Sequence, residues 1–335
     1  MTDLRHPHPH PEGRHPTRRE IIGLGLGAFV VAAIPFARRR GRLIKRTVPA
    51  MGTIVELAVV HRDPEYAEGA MDAAFREIQT VERLMTRFDA SSDVGRANLR
   101  AAAEGVLVTS ATARVIQTAI AWAGASDGRF DPCVGRVIEV WDVEHRHEPP
   151  PTGAFARLAG RHFYHDLDLD TWQGHRAVRF TNPDVQIDLG GIAKGYSVDR
   201  AVATLRDWGI TQAFVAAGGD LYALGESDHG GPWDVGIRDP KDPDRVIASF
   251  PLSDGAVATS GDYFRYFDYH GRRYHHIMDP ATAAPRLTAE HSVSVAASSC
   301  MTADVAATTC FGLLPERAVE LLQAQAADAR LVSHV

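Results

Sequence analysis

The chain has 335 residues and a mass of 36.5 kDa, and 45% of its residues are hydrophobic, enough for one large globular domain or two modest ones. Residues 1–46 hold ten Lys/Arg and three Asp/Glu, a net charge of +7, whereas the remaining 26 Lys/Arg and 39 Asp/Glu give residues 47–335 a net charge of −13. An acidic body is a poor partner for polyanions, so nucleic acid is not an expected partner, and a single apolar run near membrane length excludes a polytopic membrane protein.

The first 46 residues have the composition of a targeting segment. They begin with a His- and Pro-rich stretch that fits a solvated tail better than a metal chelator. Its histidines are His6, His8, His10 and His15. Arg18 and Arg19 then precede a moderately apolar run with glycines at residues 21–37, a pattern typical of a Tat export signal. The alternative is a retained membrane anchor, because no clean cleavage site follows the run. No lipobox cysteine follows it either, so a lipoprotein anchor is not expected. We therefore divide the chain into a leader at 1–46 and a body at 47–335, and expect export to the periplasm or to the extracytoplasmic face of the membrane.

The first half of the body is predicted to mix strands with amphipathic helices. After Pro64 the apolar side chains recur at helical spacing, and Thr109 or Ser110 can cap a second helix. In chain order the predicted elements are a strand at 51–60, a helix from 64 to about 85, a helix at Ser110–Ala125, a loop at 144–153, and strand material at 178–189 interrupted by Asn182-Pro183.

The second half is predicted to hold short strands between helices. Its elements are a helix at 193–208 closed by Gly209, strands at 213–216, 233–238 and 246–252, a hairpin of 264–269 and 273–278 around His270-Gly271, a strand at 292–297, and helices at 301–313 and 315–327. Since helices and strands do not alternate strictly, this order favours an α+β fold over a doubly wound sheet. Cys133, Cys300 and Cys310 lack a CxxC spacing and are expected to be buried free thiols.

Three turns of small residues each follow a predicted strand. The turns are Gly190-Gly191, Gly218-Gly219 and the segment 258–262, which contains Ser260 and Gly261. Glycine lets backbone N–H groups approach an anion, and a helix N-terminus favours negative charge. Each turn alone is typical of an ordinary chain reversal, and Lys194 alone is typical of a solvated surface residue. Because there are three such turns, a shared phosphate-binding site built from them is as well supported as three separate reversals.

Two further places have side chains suited to chemistry. Asp304 and Thr308 lie four residues apart in a predicted helix, so their oxygens share one face and could bind a hard cation such as Mg²⁺. The alternative is a simple Asp–Thr hydrogen bond. His275 and His276 precede an Asp-Pro turn, where one of them is expected to point inward, either as a structural histidine or as a general base.

The segments with these features occur in one order along the body. They are Met51-Gly52-Thr53, GRFDP at 128–132, DLGGIAKGYSVD at 188–199, AAGGD at 216–220, ATSGDY at 258–263, HHIMDP at 275–280, and SVSVAA with TADVAATTCFGLL between 292 and 314. Together, over residues 46–333, they resemble the ApbE family of FAD:protein FMN transferases.

The resemblance implies an α+β fold of mixed and antiparallel sheets with packed helices and FAD in a cleft. It also implies a Mg²⁺-dependent reaction that moves FMN from FAD to a Thr or Ser of a partner protein as a phosphoester and releases AMP. FAD is then a substrate, and the expected acceptor is an exported or membrane protein of respiration or electron transfer.

The resemblance also assigns roles to residues. Asp304 and Thr308 would bind Mg²⁺ with a backbone carbonyl near Ala193, and His276 would be the catalytic residue that accepts the proton of the incoming hydroxyl. The positions matched to FAD binding are Met51, Thr53, Phe88, Asp188, Lys194, Gly195, Asp199, Gly218, Gly219, Ser260 and Gly261. Cys133 and Lys194 depart from residues that are common in relatives.

Two other functions would use the same cleft. A Mg²⁺-dependent FAD diphosphatase would employ water as the nucleophile and give FMN and AMP. An exported flavin-binding protein without turnover would require neither Asp304 nor His276 for its role.

Overall fold

The computed structural model describes residues 29–31, 41–172, 174–326 and 328–335. The strands are β1 (Phe29–Val31), β2 (Arg42–Ala50), β3 (Thr53–His61), β4 (Val106–Val108), β5 (Leu167–Trp172), β6 (His175–Phe180), β7 (Ala213–Ala217), β8 (Asp220–Leu224), β9 (Trp233–Asp239), β10 (Asp242–Leu252), β11 (Gly255–Gly261), β12 (Tyr266–Tyr269), β13 (Arg272–His275), β14 (Met278–Asp279), β15 (Ala284–Pro285), β16 (Ser292–Ala297) and β17 (Arg330–His334). The helices are α1 (Pro64–Met85), α2 (Asp93–Arg100), α3 (Ser110–Ala125), α4 (Gly135–Trp141), α5 (Thr152–Phe155), α6 (Ala193–Asp207), α7 (Cys300–Cys310) and α8 (Pro315–Gln325).

A seven-stranded antiparallel sheet, in the order β17-β16-β11-β8-β7-β3-β2, forms the centre of the fold. Helices α1, α6 and α7 pack on one face, and strands β9 and β10 of a smaller sheet cover the other. Because both faces are buried, most residues of the central strands are apolar. All five residues of β7 are buried, for example. The predicted α+β class is confirmed.

The long helices begin and end where the sequence predicts. Asp63 caps α1, where its carboxylate accepts the amides of the helix's first turn, and the apolar stripe faces the core. Thr109 caps α3 in the same way. Helix α6 ends before Gly209, whose φ of 71° is the left-handed conformation that glycine adopts easily at a helix C-terminus. These positions follow from local side-chain chemistry, so the sequence was sufficient to predict them.

The strand predicted over residues 178–189 is wrong beyond its first three residues. Strand β6 ends at Phe180, and after Pro183 only an isolated bridge at Gln186 remains. The amide and carbonyl of Ile187 bond instead to the side chain of Asn98 on α2, at 2.7 and 2.9 Å. The side chain of Asn98 thus provides the hydrogen bonds that a neighbouring strand would otherwise provide. The segment continues into the glycine turn before α6.

The leader lies mostly outside the described residues, so its Tat-like motif and its His-rich tail stay predictions. Within residues 21–37, Phe29–Val31 pairs as a strand with β9. The predicted boundary between residues 46 and 47 falls inside β2, because Arg42–Arg46 already pair with β3. No described helix combines the length and the apolar character that a membrane span requires. The three cysteines are buried and unbridged, as predicted.

Candidate functional site

Helices α6 and α7 cross where their backbones nearly touch. A Cβ at Gly195 would lie 2.3 Å from the carbonyl oxygen of Cys300 and 2.8 Å from Cβ of Asp304, and the Gly195 amide donates to Asp304 Oδ2 at 3.0 Å. One turn further along α6, Asp199 accepts the amides of Cys300 and Met301 at 2.7 and 2.9 Å. Burial raises the pKa of Asp199 to about 6, although these two bonds oppose the shift. Gly195 and Asp199 therefore hold α7 in place, and their contact with FAD stays a prediction.

Gly195→Ala is expected to destabilise the fold by about 1–3 kcal/mol, because the added methyl group forces α6 and α7 apart. Gly124→Ala in α3 is the matched control, since a Cβ there meets nothing within 4 Å. Alanine at that helical position should be neutral or stabilise by about 0.5–1 kcal/mol. Urea unfolding measures both variants. Equal stabilities would mean that the close helix crossing is not required.

Lys194 places its ammonium group between two buried carboxylates. Its Nζ lies 2.9 Å from Asp220 Oδ2 and 3.2 Å from each carboxylate oxygen of Asp304, and it donates to the carbonyl of Gly190 at 3.3 Å. Asp220 is 1% exposed and Asp304 is 2% exposed. The glycine turn before α6, the start of β8 and the middle of α7 thus meet at one cation.

In this cluster one ammonium faces two acidic side chains. Burial alone would lower the pKa of Lys194, but the charges of Asp220 and Asp304 outweigh burial and raise it, so the lysine stays protonated. Burial, and then repulsion from Asp304, raise the pKa of Asp220, although Lys194 opposes the shift. A second cation near Asp220 would oppose this shift and favour its ionised form.

The side chains beside the cluster offer hard oxygen donors. Thr308 lies one turn after Asp304 on α7, and its Oγ1 is 3.1 Å from Oγ of Ser260 at the end of β11. A Cβ at Gly191 would lie 3.2 Å from Thr308 Oγ1, so the glycine turn closes on the same place. Carboxylate and hydroxyl oxygens suit Mg²⁺. The described residues contain no cluster of three His, Cys, Asp or Glu side chains able to hold a metal, so Mg²⁺ would also depend on backbone or substrate oxygens. Ala193 is buried at the start of α6, and its carbonyl as a ligand stays a prediction.

The two adjacent histidines have different environments. His275 is buried, its Nε2 lies 2.9 Å from the carbonyl of Arg286, and its other ring nitrogen accepts a backbone amide. His276 is half-buried, and its Nδ1 has no hydrogen-bond partner among the described residues. Burial, and then the charge of Arg265, lower the pKa of His276 to about 3, and the charge of Lys194 acts in the same direction. His275 is thus structural, whereas His276 is a neutral imidazole with a free nitrogen close to the lysine cluster.

His275 is expected to make the fold less stable in acid. Burial lowers the pKa of His275 from 6.5 to about 4, so the unfolded chain binds this proton first, and stability is lost as the pH falls from about 6.5 to 4. His275→Gln removes the titration. The difference in unfolding free energy between the wild type and His275→Gln should therefore change by about 2 kcal/mol between pH 7 and pH 5, because only the wild type loses this stability. Urea unfolding at both pH values checks this, and a constant difference would contradict it.

Two further side chains, those of Thr53 and Phe264, lie close to the β7–β8 turn. A Cβ at Gly218, whose φ is 62°, would lie 2.9 Å from Oγ1 of Thr53. A Cβ at Gly219 would lie 2.7 Å from the carbonyl of Thr259 and 3.9 Å from the ring of Phe264. Only glycine allows these approaches, so the turn, β3 and the end of β11 lie close together as predicted. Nearby, Met51 donates its amide to Glu82 Oε1 at 2.8 Å.

Phe88 projects from the surface beside the glycine turn that precedes α6. Its side chain is 83% exposed, and the guanidinium of Arg87 lies 4.4 Å from its ring centroid. Arg87 Nε pairs with Asp188 Oδ2 at 2.8 Å, and Asp188 Oδ1 accepts the amide of Gly190 at 2.8 Å. Asp188 therefore links Phe88 to the turn, and the ring is free to cover a flat ligand.

Sequence reasoning assigned no role to three residues that shape the site. Asp220 did carry a signal, because it is an acidic residue that directly follows a glycine pair and opens a buried strand. Arg87 and Phe264 carried none, because their contacts depend on segments distant in the chain.

Comparisons with known proteins show the family of this chain. The ApbE family matches residues 51–331. The FAD:protein FMN transferase of Treponema pallidum is 30% identical over 304 residues, which are 85% of this chain and 83% of that protein. The corresponding protein of Haemophilus influenzae is 31% identical over 317 residues, which are 91% of this chain and 90% of that protein. The crystal structure of the ApbE protein from Thermotoga maritima superposes with a TM-score of 0.78 at 33% identity, covering 87% of this chain and 93% of that one.

Proposed function

The chain belongs to the ApbE family, and on this basis we propose that it is an FAD:protein FMN transferase that moves FMN from FAD to a hydroxyl side chain of another protein. The observation that carries the proposal is the junction of α6, α7 and β11. There Asp304 and Thr308 present oxygens next to the ammonium of Lys194. Phosphoryl transfer depends mainly on positioning and on neutralising negative charge, and this junction brings oxygen donors and an ammonium group together in one place.

Mg²⁺ would be held by Asp304 and Thr308, with the carbonyl of Ala193 as a further ligand. The hydroxyl oxygens of Thr308 and Ser260 and the nearby carboxylate of Asp304 support this assignment. When bound, the ion would neutralise charge on the diphosphate of FAD.

His276 would accept the proton of the acceptor hydroxyl, because its pKa near 3 keeps the imidazole neutral and the side chain is only half-buried. The hydroxyl oxygen forms a bond to the phosphorus of the FMN half while the diphosphate bond breaks and AMP departs. Lys194 stabilises the negative charge of the diphosphate and of AMP. The flavin is transferred without a change of oxidation state.

The rest of the cleft would bind FAD. We assign the backbone donors to the turns at Gly218-Gly219 and Ser260-Gly261, and the adenosine end to Met51 and Thr53. Phe88 would cover a planar ring, supported by its exposure and by its link through Arg87 to Asp188.

The acceptor and the location are parts of the same proposal. A hydroxyl is the nucleophile that this chemistry requires, so the acceptor would expose a Thr or Ser, and its product would be a phosphoester. The twin arginine and the apolar run at 21–37 support export, with the acceptor being an electron-transfer protein outside the cytoplasm.

One experiment tests the function. Purified protein is incubated with FAD and Mg²⁺, with and without a candidate acceptor, and AMP, free FMN and protein-bound flavin are measured. Release of AMP only with the acceptor, together with covalent flavin on it, is the expected result. AMP with free FMN in the absence of acceptor would indicate a diphosphatase, and intact FAD in every sample, with each candidate acceptor, would indicate a flavin-binding protein.

A further inference from the structure

Arg286 is a buried arginine that bonds only to backbone carbonyls. It is 5% exposed, and within the part of the chain that the structure describes no carboxylate forms an ion pair with it. Its Nε donates to Met278 at 3.2 Å, its Nη1 to Thr308 at 2.6 Å and Phe311 at 2.9 Å, and its Nη2 to Arg129 at 2.6 Å. The planar fork of arginine can serve several carbonyls at once, which the single ammonium of lysine cannot reproduce.

These carbonyls belong to segments that carry the site. Thr308 is the hydroxyl beside Ser260, and Phe311 follows the last turn of α7, so the guanidinium satisfies carbonyls that a helix C-terminus leaves free. Met278 lies two residues after His276. The main chain of Arg286 adds to this link, since its amide donates to the carbonyl of Ile277 at 3.0 Å.

A second arginine, Arg129, also donates to carbonyls at the end of α7 and can be compared with Arg286. Its Nε donates to the carbonyl of Thr309 at 3.0 Å and its Nη2 to that of Phe311 at 2.7 Å. Its side chain therefore holds the end of α7 without a bond to the histidine segment. Arg286, in contrast, bonds to both the end of α7 and the histidine segment.

We propose that Arg286 is a positioning residue that fixes His276 relative to Thr308, and through Thr308 relative to the proposed metal site. The proposal rests on the function given above for the cleft. Its physical basis is that His276 and the proposed metal ligands on α7 belong to different segments. Such groups act together only when their separation is held within a fraction of an ångström. Arg286 does not reach the cleft and touches no reacting atom.

Hydrogen exchange of the wild-type protein gives a test that needs neither FAD nor activity. If one residue joins the segments, amides at 276–278 and at 309–311 should open as one unit, with the same free energy and the same dependence on denaturant. Separate opening would overturn the proposal, and this result stands whether or not the protein transfers FMN.

Variants give the second test. Arg286→Lys should speed exchange at both segments by about tenfold or more, and the exposed Arg317→Lys at neither. For Arg286→Lys, the kcat of AMP release per folded molecule should fall by about 10–100-fold, with KM for FAD changed less than about threefold. Faster exchange confined to 309–311, or an unchanged kcat, would mean that Arg286 is only structural. Absence of AMP release by the wild type would count against the proposed function alone.

Discussion

Asp304→Asn is expected to lower Mg²⁺-dependent AMP release from FAD by about 10³-fold, because it removes the one carboxylate among the proposed metal ligands. Asparagine keeps the shape of the side chain and can still accept the amide of Gly195, so the fold should be retained. Initial rates over a series of Mg²⁺ concentrations measure the effect, and circular dichroism checks the fold. EDTA should abolish the activity of the wild type.

Asp168→Asn is the matched control for this prediction, since Asp168 is exposed on the small sheet of β4, β5 and β6. It should keep the wild-type rate. Thr308→Val should also lose activity, whereas Thr308→Ser, which retains a hydroxyl, should keep most of it. Full activity of Asp304→Asn would show that the metal is bound elsewhere or is not needed.

His276→Ala is expected to lower kcat by about 10²–10⁴-fold while leaving the Kd for FAD within about threefold. The reason is that the imidazole acts on the acceptor hydroxyl in the transition state and is not needed to hold FAD. Rates at saturating FAD and acceptor give kcat, and a titration of FAD without acceptor gives Kd. Because the pKa of His276 lies near 3, the free enzyme should keep this base unprotonated down to about pH 4.

His270→Asn tests whether any histidine on the β12–β13 hairpin has this effect. His270 is exposed in the turn with a φ of 50°, a conformation that asparagine tolerates. Its kcat should equal that of the wild type. If His276→Ala instead weakened FAD binding with kcat unchanged, His276 would be a binding residue and another group would accept the proton.

Local patterns predicted much of this molecule. The apolar spacing after Pro64 gave α1, and Thr109 gave the start of α3, because caps and helical faces depend on residues a few positions apart. The same spacing put Asp304 and Thr308 on one helix face. The order of seven motifs indicated the family, which the comparisons confirm.

Contacts between segments that are distant in the chain could not be predicted from these local patterns. The sequence does not show that Lys194 lies between Asp220 and Asp304, since that arrangement depends on how α6, β8 and α7 pack. It also offered no reason to regard Asp199 as a cap of α7.

The amino-acid sequence by itself predicted the longest helices from spacing along the chain, and the resemblance of its motifs indicated the family and the candidate site residues. The tertiary structure alone decided which of those residues face the cleft and which hold it together. Gly195 shows the physical reason, since the demand for a hydrogen in place of a side chain comes from the backbone of Cys300, which only packing brings to it.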